Sequence, residues 1–136
     1  MNRSKGFTLI ELMVVIAVIG ILASIAAPLY QDYTRRSHIV EGLSLTAGAR
    51  LAMAEYYSAN GDWPNSNAEA GLSDDIVGTS VKSVSVDSGV ISVTFNARVA
   101  EDAVLLMTGL NIDGSVTWSC TAGSNMQERW LPVSCR

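Results

Sequence analysis

Length, composition and charge limit the kind of molecule that this chain can be. Its 136 residues suffice for one domain with a modest core, and 49% of them are hydrophobic, too many for a disordered chain. Nine basic residues stand against thirteen acidic ones, which gives a net charge of −4. Non-specific nucleic-acid binding needs clustered Lys and Arg, so the composition argues against it as the main function while allowing a small basic patch.

The N-terminus joins a short basic stretch to a long apolar run. Arg3 and Lys5 precede residues 7–27, in which Glu11 is the one charged residue. As a helix this run would span about 31 Å, close to the hydrocarbon thickness of a bilayer. A secretory signal has a shorter apolar region followed by a small-x-small cleavage site. The pattern therefore favours a membrane-spanning helix, with the basic leader on the cytoplasmic side.

A plain membrane anchor does not explain why a carboxylate, Glu11, lies within the apolar run. A carboxylate inside a membrane is costly and usually has a partner. No partner lies close by in this segment, so we expect one from another chain or from a newly created terminus.

The motif around this acid, Gly6-Phe7-Thr8-Leu9-Ile10-Glu11, resembles the cleavage and N-methylation motif of type IV pilins. The resemblance implies that a prepilin peptidase cuts between Gly6 and Phe7 and then methylates the new amine of Phe7. A glycine before the cut lets an extended backbone enter a tight protease site. The resemblance also implies that Glu11 pairs in the filament with the terminal amine of a neighbouring subunit, which would neutralise two buried charges together.

Beyond the apolar run the helix is predicted to continue as an amphipathic one. Pro28 removes a backbone donor and predicts a kink or local melting, and the resemblance implies that this region bends or stretches as subunits pack, which makes Pro28 an assembly residue. Gly20, Gly42 and Gly48 are further weak points, either simply tolerated or useful for bending. The apolar positions that recur every three or four residues, and are expected to face a core, are Tyr30, Tyr33, Ile39, Leu43, Leu45, Leu51, Met53 and Tyr57.

Charged residues of this half have two interpretations. Asp32 precedes Arg35 and Arg36 by three and four residues, which predicts local ion pairs. The two arginines could instead meet acids of neighbouring subunits. His38 is expected at the helix surface with no nucleophile paired to it.

The second half of the chain predicts a sheet. Turn residues at 60–67 end the helix, and a short helical turn is expected near residues 68–72. Alternating apolar residues then predict four strands with tight turns at 87–89 and 111–114. The fold class is therefore α+β, a long N-terminal helix on a four-stranded antiparallel sheet, which is the roll that the resemblance implies. The predicted strands lie around Val84–Val86, Val90–Phe95, Val104–Leu110 and Val116–Cys120.

The two cysteines have a different interpretation in an exported chain than in a cytosolic one, where both thiols would usually be free. A bond between Cys120 and Cys135 would close a tail of little regular pattern and contribute about 3 kcal/mol in the chain-entropy model. The resemblance implies such a disulfide-closed C-terminal loop. Trp130 is expected to pack under this loop, with surface contact by Trp130 and Arg129 as the alternative.

Three segments follow from these observations. Residues 1–6 would be the cleaved leader, and residues 7–30 the transmembrane and filament-core half of the helix. Residues 31–136 would be the globular head, with the amphipathic half-helix, the αβ-loop, the sheet and the disulfide-closed loop.

The predicted function is that of a type IV pilus subunit. The implied partners are further copies in a helical filament, the prepilin peptidase and N-methyltransferase, and the inner-membrane assembly machinery. The precursor would sit in the inner membrane and the product in a surface fimbrium, where adhesion, twitching motility and DNA uptake are family properties. No catalytic constellation, cofactor or metal cluster is evident, and the acidic pairs at 74–75 and 101–102 are interpreted as solvated turns.

Three alternatives remain at this point. A minor pilin could act as a DNA or surface receptor, a major pseudopilin could serve type II secretion, and a monomeric anchored protein would leave Glu11 unexplained. The receptor needs a basic, aromatic strip, whose candidates are Arg98, Lys82, Arg129, Trp118 and Trp130.

Overall fold

A computed structural model describes residues 6–136 and confirms the α+β class. One helix, α1, is followed by a single antiparallel sheet with strand order β1-β2-β3-β4. Two short 3-10 turns lie in the C-terminal tail. The bounds are Leu9–Asn60 for α1, Val81–Asp87 for β1, Val90–Phe95 for β2, Val104–Ile112 for β3, Ser115–Ala122 for β4, and Glu128–Trp130 and Val133–Cys135 for the 3-10 turns.

The chain divides into two compact units, residues 1–33 and 34–136. The described part of the first unit is the start of α1, which is long and apolar enough to cross a membrane. The second unit holds the rest of α1 and the whole sheet. The predicted boundary between residues 30 and 31 lies near this division.

Tight turns explain why the strands could be predicted from the sequence. Ser88 and Gly89 join β1 to β2, and Asp113 and Gly114 join β3 to β4. All four residues have positive φ, between 48° and 89°. A two-residue hairpin turn with two left-handed residues matches the twist of the paired strands, and Asp-Gly is among the sequences that adopt it readily.

A line of five residues on α1 is buried against the sheet. These residues recur at intervals of three and four, which keeps them on one face of the helix. Gly42 shows how closely the two layers approach, because a Cβ there would lie 2.5 Å from Cζ of Phe95 and 3.2 Å from Cγ1 of Val93. The glycine is therefore required for packing, and this outcome replaces the two interpretations left open for it. The buried line consists of Ile39, Gly42, Thr46, Ala49 and Met53.

The larger apolar residues of this half have mixed positions. Ile39 and Met53 are fully buried as predicted, and Leu43 and Leu45 are partly buried at the edge of the core. The prediction that Tyr30, Tyr33 and Leu51 face the core is wrong, since they are 73%, 71% and 62% exposed. Small residues occupy the centre of the contact because the ring of Phe95 fills the space between the layers.

Asn67 covers the outer edge of the sheet. Its Nδ2 donates to the carbonyl of Val84 at 2.9 Å, and its Oδ1 accepts from the N–H of Val86 at 2.8 Å. The side chain thus pairs with β1 as a further strand would, and it protects an exposed edge. The segment predicted as a short helical turn is a hydrogen-bonded turn at residues 67–71, closed by the N–H of Leu72 donating to Asn67 O.

Candidate functional site

The first unit presents an apolar surface on every side of the helix. All residues from 6 to 31 are exposed. Ile10 is 71% exposed, Ile16 61% and Ile25 59%. A helix that is apolar around its whole circumference is stable only in lipid or among other apolar helices.

Glu11 has a hydrogen-bond partner within its own chain. Its Oε2 accepts from both the backbone N–H and the hydroxyl of Thr8, each at 2.9 Å. The N–H of Glu11 donates in return to Oγ1 of Thr8 at 3.3 Å. Because Thr8 directly precedes the helix, this reciprocal arrangement is a capping box, which satisfies free backbone donors at the helix start.

This contact corrects one inference from the sequence. We expected no local partner for Glu11, but the Thr-x-x-Glu spacing supplies one three residues away. The pairing of Glu11 with the amine of a neighbouring subunit remains a prediction.

The predicted cleavage point lies just outside the helix. Gly6, Phe7 and Thr8 have no regular secondary structure, and Phe7 is 83% exposed. The space that a Cβ would occupy on Gly6 is open. Residues 1–5 of the predicted leader lie outside the described residues.

Pro28 lies within α1, which is assigned as continuous helix through this position. The predicted local melting is therefore not a feature of this structure. Proline has no N–H, so the carbonyl of Ser24 lacks its usual intrahelical donor. The helix is therefore easier to bend at this position, because one of its backbone hydrogen bonds is already missing.

Cys120 and Cys135 are placed as a disulfide pair, with their Cα atoms 4.9 Å apart. This separation lies within the usual range of disulfides. Trp130, inside the closed loop, is only 3% exposed and belongs to the core, in keeping with the expected packing under its loop.

Two arginines of α1 hold this loop, a role that sequence reasoning missed. The guanidinium of Arg35 lies over the ring of Trp130, 4.6 Å from the centroid. Nη2 of Arg36 donates to the carbonyl of Arg129 at 2.8 Å. A cation–π contact contributes about 0.5–2 kcal/mol, so these contacts help to anchor the loop on the helix.

A second polar cluster joins α1 to the start of β1. The Glu41 carboxylate accepts from the Ser80 hydroxyl, from the N–H of Thr79 at 2.6 Å and from the N–H of Ser80 at 3.3 Å. These hydrogen bonds, the Ser80 hydroxyl first, hold the pKa of Glu41 below its ordinary value. Nδ1 of His38 lies 3.1 Å from the Ser80 hydroxyl, so His38 is less isolated than the sequence indicated.

Two candidates for a basic strip, Lys82 and Trp118, have other contacts. Lys82 contacts both Glu101 and Asp102, the latter at 2.8 Å, and these carboxylates raise its pKa. Trp118 packs edge-on against Trp63, with ring centroids 6.1 Å apart. Among the described residues, no group of three or more His, Cys, Asp or Glu side chains is arranged to hold a metal.

Comparisons with known proteins give two family matches. Residues 1–27 match the prokaryotic N-terminal methylation motif, and residues 35–136 match the pilin family, described as bacterial filament. Together the matches cover the apolar helix start and nearly the whole second unit.

Individual relatives align over most of their length. The chain is 46% identical to fimbrial protein EcpC of Eikenella corrodens, over 97% of this chain and 90% of the relative. It is 40% identical to type IV major pilin protein PilE1 of Neisseria gonorrhoeae, over 97% and 87%. A fimbrial protein of Neisseria meningitidis is 45% identical, over 85% and 72%.

Proposed function

We propose that this chain, which belongs to the pilin family of bacterial filament proteins, is a structural subunit of a type IV pilus. The observation that carries the proposal is the uncovered apolar helix, whose large side chains from Leu9 to Leu29 are all exposed. Burying one Ile, Leu or Val side chain contributes about 1.5–3 kcal/mol, so a bundle of such helices is strongly favoured over exposure to water.

Processing is the first step in this proposal. A prepilin peptidase cuts between Gly6 and Phe7 and methylates the amine of Phe7. The non-helical, exposed backbone at these residues supports the assignment, because a protease needs an extended segment without a side chain in the way. Residues 1–6 are then the cleaved leader.

Assembly follows in the membrane. Residues 7–30 hold the precursor in the inner membrane and later line the filament core. While the subunit is alone, Thr8 satisfies the Glu11 carboxylate. In the filament the same carboxylate pairs with the methylated Phe7 amine of a neighbour, and Pro28 lets the helix adjust as subunits pack.

Residues 31–136 form the head on the outer wall of a surface fimbrium. The Cys120–Cys135 pair closes its C-terminal loop, which Arg35 and Arg36 hold against the helix. The partners are other copies of the chain, the peptidase and the inner-membrane machinery. Adhesion, twitching motility and DNA uptake are the uses that this assignment implies.

A structural role without catalysis is part of the proposal. Pilins are structural subunits, and the hydroxyl nearest the one histidine belongs to Ser80, which is 0% exposed. A receptor function in DNA binding is not favoured, since Lys82 is neutralised by two acids. The relatives named above are major pilin and fimbrial proteins.

Intact mass spectrometry of filaments sheared from cells tests the assignment first. We expect the dominant species to begin at methylated Phe7 and to lack the two hydrogens of a reduced Cys120–Cys135 pair. Recovery of the chain only in the membrane, with residues 1–6 attached, would contradict the proposal.

Two substitutions separate processing from assembly. Gly6→Val should block cleavage and leave the precursor mass unchanged. Glu11→Gln should be cleaved normally but yield few filaments, because it removes the charge that pairs with the neighbouring amine. Glu55→Gln, which removes an exposed acid in the second half of α1, is the matched control and should assemble normally.

A further inference from the structure

A small cavity between α1 and β4 is lined by Arg50, a charged side chain with one unsatisfied buried donor. Arg50 extends from the helix beside the buried residue Ala49, and its Nε is buried with no hydrogen-bond partner among the described residues. No Asp or Glu of residues 6–136 forms a salt bridge with it. A guanidinium is charged at every physiological pH, so its unsatisfied donor marks a place for an acceptor.

The walls of this cavity are about equally polar and apolar. Its volume is about 280 Å³. Leu43 comes from the helix, Met107 and Trp118 from the sheet, and the Cys120 sulfur and Ser134 from the region of the disulfide. The volume lies just below the usual range for ligand cavities, about 300–1,000 Å³, and so suits only a compact molecule.

A larger cavity of about 580 Å³ adjoins the first one and shares Trp118, Cys120 and Ser134 with it. It follows β4 and is bordered by Glu128 and Arg136. The Arg136 guanidinium is engaged there, with Nε and Nη2 donating to the Leu131 carbonyl at 3.2 and 3.1 Å. In this larger cavity the charges of Glu128 and Arg136 offset each other. The lining of the smaller cavity, called here the inner cavity, holds Arg50 and no acid, so a negative charge is favoured there.

We propose that the inner cavity binds a small organic carboxylate, whose charged end pairs with Arg50 and whose apolar body lies against Trp118. The planar fork of a guanidinium matches a carboxylate with two parallel hydrogen bonds. An inorganic polyanion fits less well, since its other oxygens would face Leu43 and Met107 without donors.

The test compares an acid with its neutral isostere on the full mature chain in detergent micelles. Phenylacetate is titrated against phenylacetamide, and NMR follows the Nε–H of Arg50 and the indole N–H of Trp118. We expect a saturable shift of both signals with phenylacetate, and about tenfold weaker binding of the amide. Because this comparison uses the unaltered chain, it does not depend on the folding of any variant.

Arg50→Met and Arg98→Met form a matched pair of variants, since each removes one positive charge and Arg98 is exposed in a loop away from the cavity lining. Only Arg50→Met should weaken phenylacetate binding. No saturable shift at Arg50 would mean that the cavity holds water only, and equal binding of acid and amide would mean an apolar cavity without anion recognition. Either result, or equal loss in both variants, overturns the proposal.

Discussion

The two halves of α1 differ in how hydrophobicity relates to burial. From Leu9 to Leu29 the helix is apolar on every side, and all of these residues are exposed. From Thr34 onward the helix is amphipathic, and a single narrow line is buried, with Gly42, Thr46 and Ala49 at its centre. The more apolar half is thus the more exposed one. The hydrophobicity of a helix indicates how much of its surface must be buried. Which residues are buried within the subunit depends on how closely the helix and the sheet can approach.

Replacing an isoleucine by alanine in each half of α1 should give the largest difference in the free energy of unfolding. Ile39 is 0% exposed and Ile16 is 61% exposed. Ile39→Ala should lower the free energy of unfolding of the second unit by about 2–5 kcal/mol, because it leaves a cavity in the core. Ile16→Ala should change it by less than about 0.5 kcal/mol. Denaturant unfolding of the full chain in micelles, followed by tryptophan fluorescence, measures both, and similar losses would contradict the comparison.

The disulfide should stabilise only the second unit. Replacing Cys120 and Cys135 by Ser should cost about 3 kcal/mol, since the bond closes a loop with a sequence separation of 15. Thermal unfolding with and without reductant checks this. The unaltered chain should lose stability in reductant, and the double variant should be insensitive to it. A loss of helix content in residues 9–33, observed by NMR, is the result that would argue against independent units.

Two glycines of α1 differ in their surroundings, because Gly42 lies against the sheet and Gly48 faces open space. Gly42→Ala should cost about 1–3 kcal/mol through overpacking against Phe95, although alanine favours the helix. Gly48→Ala has open space around its new Cβ and should stabilise the chain by up to about 1 kcal/mol. Opposite signs in paired denaturant unfolding experiments are the expected outcome. The same sign for both would mean that the layers can move apart at Gly42.

The smallest effect concerns pH and the Glu41 cluster. The folded pKa of Glu41 is lowered from its ordinary value of 4.5. Its stabilisation is therefore present above about pH 4.5 and is lost as the pH falls through the lower folded value. Glu41→Gln should reduce stability at pH 7 and weaken its pH dependence below 4.5. Glu55→Gln, at an exposed position of α1, is the control and should resemble the unaltered chain throughout.

Much of the fold could be predicted because its signals are local. The strands alternate in polarity, and Asp113-Gly114 marks a hairpin turn that requires left-handed residues. The exposed position of Leu51 and the buried position of Gly42 could not be predicted in the same way. The buried position of Gly42 depends on the ring of Phe95, which lies more than fifty residues further along the chain.

The residues of the candidate site also divide into those that the local sequence indicates and those that depend on distant contacts. Gly6, Phe7 and Glu11 stand out because their motif is contiguous. Thr8 could also have been recognised, since Thr followed by Glu three residues later is a local capping signal. The contacts of Arg35 with Trp130 and of Arg36 with Arg129 join distant segments, and no spacing in the sequence indicates them.

The bare backbone at Gly42 has a mechanical consequence. The ring of Phe95 occupies the space that a side chain would fill there. Sliding the sheet by one helical turn, about 5.4 Å, would push this ring into His38 or Thr46, which lie four residues to either side. A tensile load on α1 is therefore passed to the sheet through the steric contact of the Phe95 ring with the helix as well as through apolar packing. The force needed to slide the helix along the sheet should therefore depend on this pair as well as on the area that the two layers bury.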